Sequence, residues 1–292
     1  MKGIIIYEKS SAVYNRSGID IYFREAVKLG ITLSLVYYEN LSYGIHNNLL
    51  YVKSEGKLLQ DVDFAINRCR DYRLAKHLES MRIRVFNNAK VNRIGNNKWE
   101  TCEYYSGFHV PMPDTEFVPS YNLENYLKSC KDEIVVKAVH GHGGNQVCLF
   151  HPNNRDEIKQ ICMTMGSEDV VIQPFIPGKG QDLRVYVIGQ SIIGAVLRTA
   201  TNGFRSNYSL GGQVTSYKLT QKVVSQVEKI INCLPVDYVG IDFLIHENGD
   251  LLFNEIEDIV GARMLYQCTN IDVISLYMQY ILRTLNKNYK HS

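Results

Sequence analysis

A chain of 292 residues, of which 45% are hydrophobic and 21% charged, is long enough to form two or three compact units with sizeable cores. Its net charge of +2 and the lack of a long basic run give no support to a nucleic acid or an acidic membrane surface as a partner. No apolar stretch reaches 18 residues, so we expect a cytoplasmic protein without membrane contact, and seven cysteines without a C-x-x-C pair argue against a disulfide scaffold or a zinc ribbon.

The first 90 residues alternate between strand and helix patterns. Strands are predicted at 3–7, 31–38, 63–67 and 84–86, and helices at 18–29 and 72–81. This alternation is typical of a small parallel sheet covered by helices. We therefore treat residues 1–90 as an N-terminal α/β domain.

Two further units of mixed α+β pattern follow. The second, residues 91–176, has predicted helices at 97–105, 122–129 and 155–165 and strands at 134–139, 147–150 and 170–173. The third, residues 177–292, has predicted strands at 183–188 and 192–199, a hairpin at 239–256, and helices at 221–233 and 272–285.

The hairpin at 239–256 places acidic residues against each other. A two-residue turn at Asn248-Gly249 sets Asp242 directly opposite Glu255, with Cβ atoms about 5 Å apart, and Glu257 on the same face. Such a cluster is unfavourable without a cation, and carboxylates with room for phosphate oxygens suit Mg²⁺ bound with a nucleotide. The alternative is a protonated or arginine-paired carboxylate in an ordinary sheet.

Lys137 ends an apolar strand and is followed by the glycine-rich run from Gly141 to Gly144. A lysine in a buried strand is uncommon, and glycines let backbone N–H groups approach an anion closely, so the pair indicates a phosphate cradle. A plain hairpin turn is the alternative. The sequence contains neither G-x-x-x-x-G-K-[ST] nor G-x-G-x-x-G, which argues against a P-loop enzyme and a dinucleotide-binding fold.

Three segments after this loop carry further polar chemistry. The extended piece 174–178 offers backbone groups to an adenine edge, or is only a linker. Asp182 and Arg184 share one strand face, and a simple two-residue turn would put Arg198 on the opposite face, so a common site for both arginines requires a three-residue loop or a bulge. Surface ion pairing is the alternative for these three. The loop 203–212, with a cationic tip and hinge-like glycines, is a candidate to close over a polyanion or an ordinary surface loop.

In this order the features resemble the ATP-grasp superfamily, and within it the RimK-type carboxylate-amine ligases. The matching elements are Asn97-Lys98, Val110-Pro111-Met112-Pro113-Asp114-Thr115, Val135-Val136-Lys137 with Gly141 to Gly144, Ile172-Gln173-Pro174-Phe175-Ile176, Asp182-Leu183-Arg184, Arg198, Phe204-Arg205-Ser206-Asn207 with Gly211-Gly212, Gly240-Ile241-Asp242 and Asn254-Glu255-Ile256-Glu257. Each is short, but nine in the family's order are specific.

The resemblance implies an ATP-grasp fold, in which a lid at 91–176 and a metal-binding subdomain at 177–292 clasp ATP. For the nucleotide, the resemblance implies phosphate contacts from Lys98, Lys137, Gly141, Gly143 and Gly144, an adenine site formed by Gln173, Pro174, Phe175 and Ile176, and Asp182 near the ribose. For the metal, it implies that Mg²⁺ is bound by Asp242, Glu255 and Glu257. Facing the acyl phosphate and the amine, it implies Arg184, Arg198 and Asn207. It also implies two Mg²⁺ ions, with Mn²⁺ as a substitute.

The chain departs from the family pattern at two places. Glu257 stands where the family usually has Asn, and Glu257-Asp258-Ile259-Val260-Gly261 replaces the usual Asn-x-Pro-Gly. The extra acid should tighten metal binding or change metal preference. In the first 90 residues only Asn67-Arg68 matches a family residue, its substrate-side arginine.

The implied activity is ATP-dependent joining of a carboxylate to an amine through an acyl phosphate, with small-molecule or peptide substrates and an oligomeric state left open. Such a reaction needs positioning and charge neutralisation, which fits lysines, arginines and a metal site. Two alternatives remain: a kinase acting on a hydroxyl with the same nucleotide site, and a non-catalytic module that binds Mg-ATP.

Overall fold

The computed structural model describes residues 1–200 and 213–288. In the N-terminal part, four strands form a parallel sheet in the order β2-β1-β6-β7, as the alternating pattern predicted. Five of the six residues of β1 are buried, as expected of a parallel strand covered on both faces. The elements are β1 (Lys2–Tyr7), α1 (Lys9–Tyr14), α2 (Arg16–Lys28), β2 (Thr32–Tyr37), β6 (Phe64–Asn67), α3 (Tyr72–Ser80) and β7 (Arg84–Phe86).

A small antiparallel sheet between β2 and β6 was not predicted. It consists of β3 (Leu41–His46), β4 (Leu49–Ser54) and β5 (Lys57–Leu58), after a short 3-10 helix at Tyr38–Asn40. The turn between β3 and β4 is Asn47-Asn48, and both residues have positive φ, 48° and 61°. Asparagine tolerates this left-handed backbone, so the Asn-Asn pair was the available signal for a hairpin.

The central part forms an antiparallel sheet in the order β10-β9-β11-β8, with two helices packed against it. The elements are β8 (Glu116–Val118), a 3-10 turn at Ser120–Asn122, α6 (Leu123–Ser129), β9 (Ile134–Ala138), β10 (Val147–Phe150), α7 (Glu157–Met165) and β11 (Val170–Pro174). All five residues of β9 are buried, including Lys137.

The C-terminal part is built on a five-stranded antiparallel sheet in the order β14-β13-β12-β15-β16. The elements are β12 (Gln181–Ile188), β13 (Ser191–Thr199), β14 (Gln213–Ser216), α8 (Gln221–Cys233), β15 (Tyr238–Ile245), β16 (Leu251–Glu257), α9 (Arg263–Cys268) and α10 (Val273–Asn288). One face packs on α8, and the other joins α10 in a core shared with the N-terminal sheet.

Helices α4 (Ala89–Gly95) and α5 (Lys98–Ser106) lie between the first two parts in the chain but pack elsewhere in space. Val91, Ile94 and Tyr105 belong to the same core as the strands of the C-terminal sheet. Helix α5 begins after Asn97, whose side-chain oxygen accepts from the N–H of Glu100 at 3.0 Å. The predicted domain limits at 90 and 176 stay a prediction, and by packing these helices group with the C-terminal sheet.

Within the described ranges, no helix combines the length and apolar character that crossing a bilayer requires. None of the seven cysteines, all of which the structure describes, is in a disulfide; Cys69 and Cys102 are buried and the other five are partly buried.

Candidate functional site

A cavity of 310 Å³, which we call the inner pocket, lies between the central and C-terminal sheets. The segments that line it come from both sheets and from the start of α5, so the fold brings together residues that are up to 157 positions apart in the chain. Among the predicted site residues, those lining it are Lys98, Lys137, Gly141, Gly143, Gly144, Gln173, Pro174, Phe175, Ile176, Asp182, Arg198 and Glu255.

Lys137 on β9 is 9% exposed and points its ammonium group into the inner pocket, where Nζ donates to Asn254 Oδ1 at 2.8 Å. Burial lowers the pKa of this lysine to about 8, because removal from water disfavours the charged form. The nearby Glu255 acts in the opposite direction. A cation held in a cavity by one neutral amide is suited to a polyanionic ligand.

The glycine loop leads from β9 to β10 along the wall of the inner pocket. Gly143 and Gly144 have φ values of 63° and 78°, a left-handed backbone that most side chains avoid. The carbonyl of Gly141 accepts from Lys98 Nζ at 2.5 Å. The N–H of Lys98 in turn donates to the carbonyl of Val139 at 3.0 Å, so the start of α5 is tied to the end of β9. Two lysines and a glycine turn therefore line the same end of the cavity.

The segment from Gln173 to Ile176 forms another wall. Gln173 is buried, and its Nε2 donates to Thr115 Oγ1 at 2.8 Å. The backbone N–H of Phe175 donates to the carbonyl of Glu133 at 3.2 Å. The segment is thus anchored to its own subdomain while it faces the cavity, which suits contact with a planar base.

The predicted irregularity between Arg184 and Arg198 is confirmed as a bulge. Strands β12 and β13 change register between Tyr186 and Val187, and beyond the change Asp182 pairs with Arg198. Without the extra residue Arg198 would face the other side of the sheet. The bulge therefore brings both arginines to one face.

Both arginines converge on Asp242. Arg184 donates from Nε and Nη2 to the two oxygens of Asp242, each at 2.7 Å, and Arg198 Nη2 donates to Oδ2 at 2.6 Å. Arg198 also binds Asp182 through Nε and through Nη2, the latter at 2.9 Å. Burial raises the pKa of Asp242, but the two guanidinium groups outweigh burial and hold that pKa below its ordinary value.

The acidic residues of the last hairpin pair as predicted, although the turn differs. Asp242 lies opposite Glu255, and Glu257 lies opposite Gly240. The prediction of a two-residue turn is wrong. The N–H of His246 donates to the carbonyl of Asp250, which closes a three-residue loop. A register change next to Asp242 compensates for the longer loop.

That register change brings in a residue which the sequence reasoning did not select. Asn254 falls between the paired positions Phe253 and Glu255 on β16, and its side chain meets Lys137. The N–H of Phe253 donates across the outer edge of β16 to the carbonyl of Pro111 at 2.8 Å. A strict period of two gave no hint of this position.

The three acids each lie near a cation. Besides Asp242 with its two arginines, Glu257 pairs with Arg184 Nη1 at 2.6 Å, and Glu255 lies 3.6 Å from Lys98 Nζ. In the part of the chain that the structure describes, no group of three or more His, Cys, Asp or Glu side chains is arranged to hold a metal ion. The donor set of carboxylate oxygens suits Mg²⁺, and Asp242 already accepts three hydrogen bonds from the two arginines. The metal assignment stays a prediction.

A second cavity of 340 Å³, the outer pocket, adjoins the first. The two cavities share the lining residues Lys98, Gly141, His142, Gly143, Arg198 and Glu255. Arg184 and Glu257 line only the outer pocket. The predicted catalytic arginines thus lie at and beyond the junction, whereas the predicted base-binding segment lies on the inner side. Asn207 falls in 201–212, outside the described residues.

Arg68, the predicted substrate-side arginine, is buried and serves another purpose. Its Nη2 donates to the carbonyls of Ile259 at 3.1 Å and Val260 at 2.8 Å. It therefore holds the loop after β16 against the N-terminal sheet. Arg70, two residues later, lines the outer pocket, which Arg68 does not.

Asp258 lies behind the outer pocket in a buried polar cluster. Its oxygens accept from Asn92 Nδ2 at 2.6 Å and Asn96 Nδ2 at 2.8 Å. Burial raises the pKa of Asp258 to about 7, although both asparagine contacts act to lower it.

The sequence model described as a RimK-like ATP-grasp domain matches residues 95–281. N-acetylaspartylglutamate synthase A of Homo sapiens is 31% identical over 225 residues, which cover 74% of this chain and 56% of that protein. The chain therefore spans little more than half the length of this curated relative.

Solved structures show the same fold at lower identity. A RimK domain ATP-grasp protein from Sphaerobacter thermophilus superposes with a TM-score of 0.72 at 16% identity, over 97% of this chain and 100% of the other. The ATP-grasp ligase PsnB, in complex with a phosphomimetic variant of its minimal precursor, Mg and ADP, gives a TM-score of 0.69 at 13% identity, over 97% and 98% of the two chains.

Proposed function

The chain belongs to the RimK-like ATP-grasp family, and from that premise we propose that it is an ATP-dependent ligase which joins a carboxylate to an amine. The observation that carries the proposal is the pair of adjoining cavities. The inner pocket offers lysines and the segment predicted to bind the base, and the outer pocket begins at Arg198 and Glu255 on their shared wall. A triphosphate in the inner pocket would end at this junction, next to a substrate in the outer one.

In the proposed reaction, an oxygen of the substrate carboxylate attacks the γ-phosphorus of ATP, and ADP leaves to give an acyl phosphate. The amine nitrogen then attacks the carbonyl carbon, inorganic phosphate leaves with the bonding electrons, and the amine gives up a proton. Lys98 and Lys137 would bind the phosphates, and Arg184 and Arg198 would neutralise charge on the acyl phosphate. The protein holds and aligns the reactants and needs no side-chain nucleophile.

The remaining roles complete the proposal. Gln173, Pro174, Phe175 and Ile176 would surround adenine, Gly141, Gly143 and Gly144 would follow the phosphates, Asp182 would lie near the ribose, and Asn207 would face the amine. Asp242, Glu255 and Glu257 would hold two Mg²⁺ ions, with Mn²⁺ as a substitute, and the metal would neutralise phosphate charge.

The substrates would be a small-molecule or peptide carboxylate and an amine, in a cytoplasmic protein. The name of the human relative, which describes a synthase of N-acetylaspartylglutamate, supports this substrate class. Seven cysteines that form no disulfide support a reducing compartment. A homo-oligomer stays a prediction.

The test is a screen for ADP release against amino acids, short peptides and other small acids, with product mass as a second readout. A ligase should release ADP only with acid present, yield a hydroxamate when hydroxylamine replaces the amine, and join the two substrates. ADP release that needs a hydroxyl substrate and yields no hydroxamate would indicate a kinase instead. Nucleotide binding without turnover across the whole screen would indicate a binding module.

Glu255→Gln is the matched variant for this screen. Glu255 lines both cavities and is predicted to bind metal, so the change should abolish acid-dependent ADP release while circular dichroism stays that of the wild type. Glu228→Gln, on the exposed side of α8, is the control and should keep full activity. Unchanged turnover in Glu255→Gln would remove the metal assignment.

A further inference from the structure

The outer pocket carries an excess of positive charge. Its charged lining consists of the cations Lys98, Arg70, Arg184, Arg198 and Arg263 and the carboxylates Glu255 and Glu257. The cations nearest the junction are matched: Arg184 and Arg198 pair with Asp182, Asp242 and Glu257, and Lys98 lies near Glu255. The excess is therefore located on Arg70 and Arg263.

Neither of these two arginines has an ion pair or a side-chain hydrogen bond with any residue in 1–200 or 213–288. The segments 201–212 and 289–292 contain no Asp or Glu, so they cannot supply a carboxylate side chain. Of the four arginines that line the cavities, Arg184 and Arg198 form ion pairs with carboxylates of the protein. Arg70 and Arg263 form no ion pair within the described ranges, and Arg70 acts on Asp258 only through electrostatics that lower the pKa of that carboxyl.

The two arginines approach the cavity from different parts of the fold. Arg70 follows β6 of the N-terminal sheet and is half-buried. Arg263 begins α9 of the C-terminal part, and its guanidinium lies 4.0 Å from the centroid of the Tyr14 ring. Tyr14 ends α1 and also lines the pocket. The ring contact orients Arg263, because a guanidinium stacks favourably on an aromatic face.

We propose that Arg70 and Arg263 determine substrate specificity by binding an anionic group, a carboxylate, that is not the one activated by ATP. One substrate of the proposed ligase would then be an acid with at least two carboxylates, or an amine that bears one. This inference rests on the proposed function for its reaction but not for its binding site. A planar guanidinium presents paired donors that match a carboxylate. Arg70 is half-buried, and Arg263 is exposed but is placed by its contact with the Tyr14 ring.

The experiment uses pairs of compounds that differ by one charge at nearly constant volume: glutamate and glutamine, succinate and succinamate, and acidic dipeptides with their side-chain amides. Binding to the full chain is measured by calorimetry, both alone and with Mg²⁺ and a non-hydrolysable ATP analogue. ADP release is measured in parallel with ATP. We expect the charged member of at least one pair to bind roughly tenfold or more tightly than its amide, as for a charge-assisted hydrogen bond.

Arg70→Ala and Arg263→Ala should reduce that discrimination by about tenfold each, through the KM of the acid rather than through kcat or the KM of ATP. Arg70→Lys should retain part of it, because the charge remains and the paired donors do not. Arg283→Ala, on the exposed side of α10, is the matched control and should discriminate as the wild type does.

Equal binding within every pair, or wild-type discrimination in both alanine variants, overturns the inference. Charge-selective binding without ADP release for any acid would refute the ligase and leave the anion site standing. ADP release at equal rates with the charged and neutral members would refute the anion site and leave the ligase proposal standing.

Discussion

The burial of Lys137 affects how this lysine would bind a phosphate. The strand around it is apolar, and among the described residues its ammonium has one hydrogen-bond partner, the neutral amide of Asn254. Burial lowers the pKa of this lysine to about 8. A bound phosphate would stabilise the protonated form of this buried lysine, so the ion pair would contribute to the free energy of nucleotide binding.

We predict that Lys137→Met raises the Kd for Mg-ATP by roughly 10- to 100-fold, the usual effect of losing one charged hydrogen bond. Wild-type affinity should also fall as the pH rises past about 8, because the amine loses its proton there, and the variant should lack this fall. Isothermal titration from pH 6.5 to 9.5 measures both effects. Lys131→Met, at an exposed position, is the control. If Lys137→Met bound Mg-ATP as tightly as Lys131→Met, the assignment of Lys137 to the phosphates would be contradicted.

Asp242 stabilises the fold whether or not a metal binds. It is 1% exposed and is the common partner of Arg184 and Arg198, which are 7% and 3% exposed. Removing its charge leaves two buried guanidinium groups short of a counter-ion.

We therefore expect Asp242→Asn to lower the free energy of unfolding by about 3–5 kcal/mol in metal-free buffer, as when one partner of a buried ion pair is removed. Urea denaturation monitored by circular dichroism measures the loss. Asp20→Asn disrupts an exposed pair with Arg16 and should stay close to wild type. If both variants unfolded at the same urea concentration, Asp242 would not hold the arginines as described.

At the scale of elements, two strand irregularities build the site. The bulge in the β12–β13 pair sends Arg198 to the face of Arg184, and the register change in the β15–β16 pair turns Asn254 towards Lys137. Each inserts one unpaired residue into an otherwise regular hairpin and so changes which side chains share a face.

The segment after β11 is held just as closely. A Cβ added to Gly178 would lie 2.4 Å from the carbonyl oxygen of Ile245, a backbone atom of β15 that cannot move alone. Gly178 lines the inner pocket, so a substitution there should displace the adjoining wall.

We predict that Gly178→Ala raises the KM for ATP severalfold, on the order of the loss from a misplaced contact. Gly18→Ala is the matched control. A Cβ at Gly18 in α2 meets nothing within 4 Å, so that change should leave the KM alone and stabilise the protein by about 0.5–1 kcal/mol. Steady-state kinetics and thermal unfolding of the two variants separate the effects, and equal KM values would show that the wall tolerates a methyl group.

At the scale of the whole molecule, the N-terminal sheet is fixed to the C-terminal sheet by a core and by buried polar contacts. Phe64 and Phe86 share a core with Tyr277 of α10. Asn87 Nδ2 donates to the carbonyls of Tyr238 at 2.8 Å and Asp258 at 3.0 Å. The loop that closes the outer pocket is therefore held from the N-terminal side.

Asp258 makes this junction sensitive to pH. Its pKa is about 7 when folded and near 4 when unfolded, so between these values the folded state binds the extra proton. By linkage its contribution to stability is greatest below pH 4, declines as the pH rises to about 7 and is constant above.

Asp258→Asn removes this decline. Relative to wild type, the variant should gain stability as the pH rises from 4 to 8, by up to about 4 kcal/mol. Urea denaturation at a series of pH values gives the difference between the two proteins. Asp20→Asn again serves as the control, and a constant difference between Asp258→Asn and wild type across this range would refute the raised pKa.

The sequence by itself determined the order of the main elements apart from the β3–β5 sheet, the parallel N-terminal sheet, the family, and the candidate residues of the inner pocket. These depend on periodicity, turn residues and short motifs that are local in the chain. It also gave the pairing of Asp242 with Glu255, but through a turn that the structure does not contain. A longer loop and one inserted residue produce the same pairing, and local patterns cannot distinguish the two routes.

Only the tertiary structure decided which cations the acids meet, that Arg68 is a structural residue, and that Arg70 and Arg263 face one cavity without forming an ion pair in the described part of the chain. The physical reason is that ion pairing and burial depend on distances between elements remote in sequence. The sequence shows which side chains can carry a charge, whereas the pairing of each charge depends on the residues that the tertiary structure places next to it.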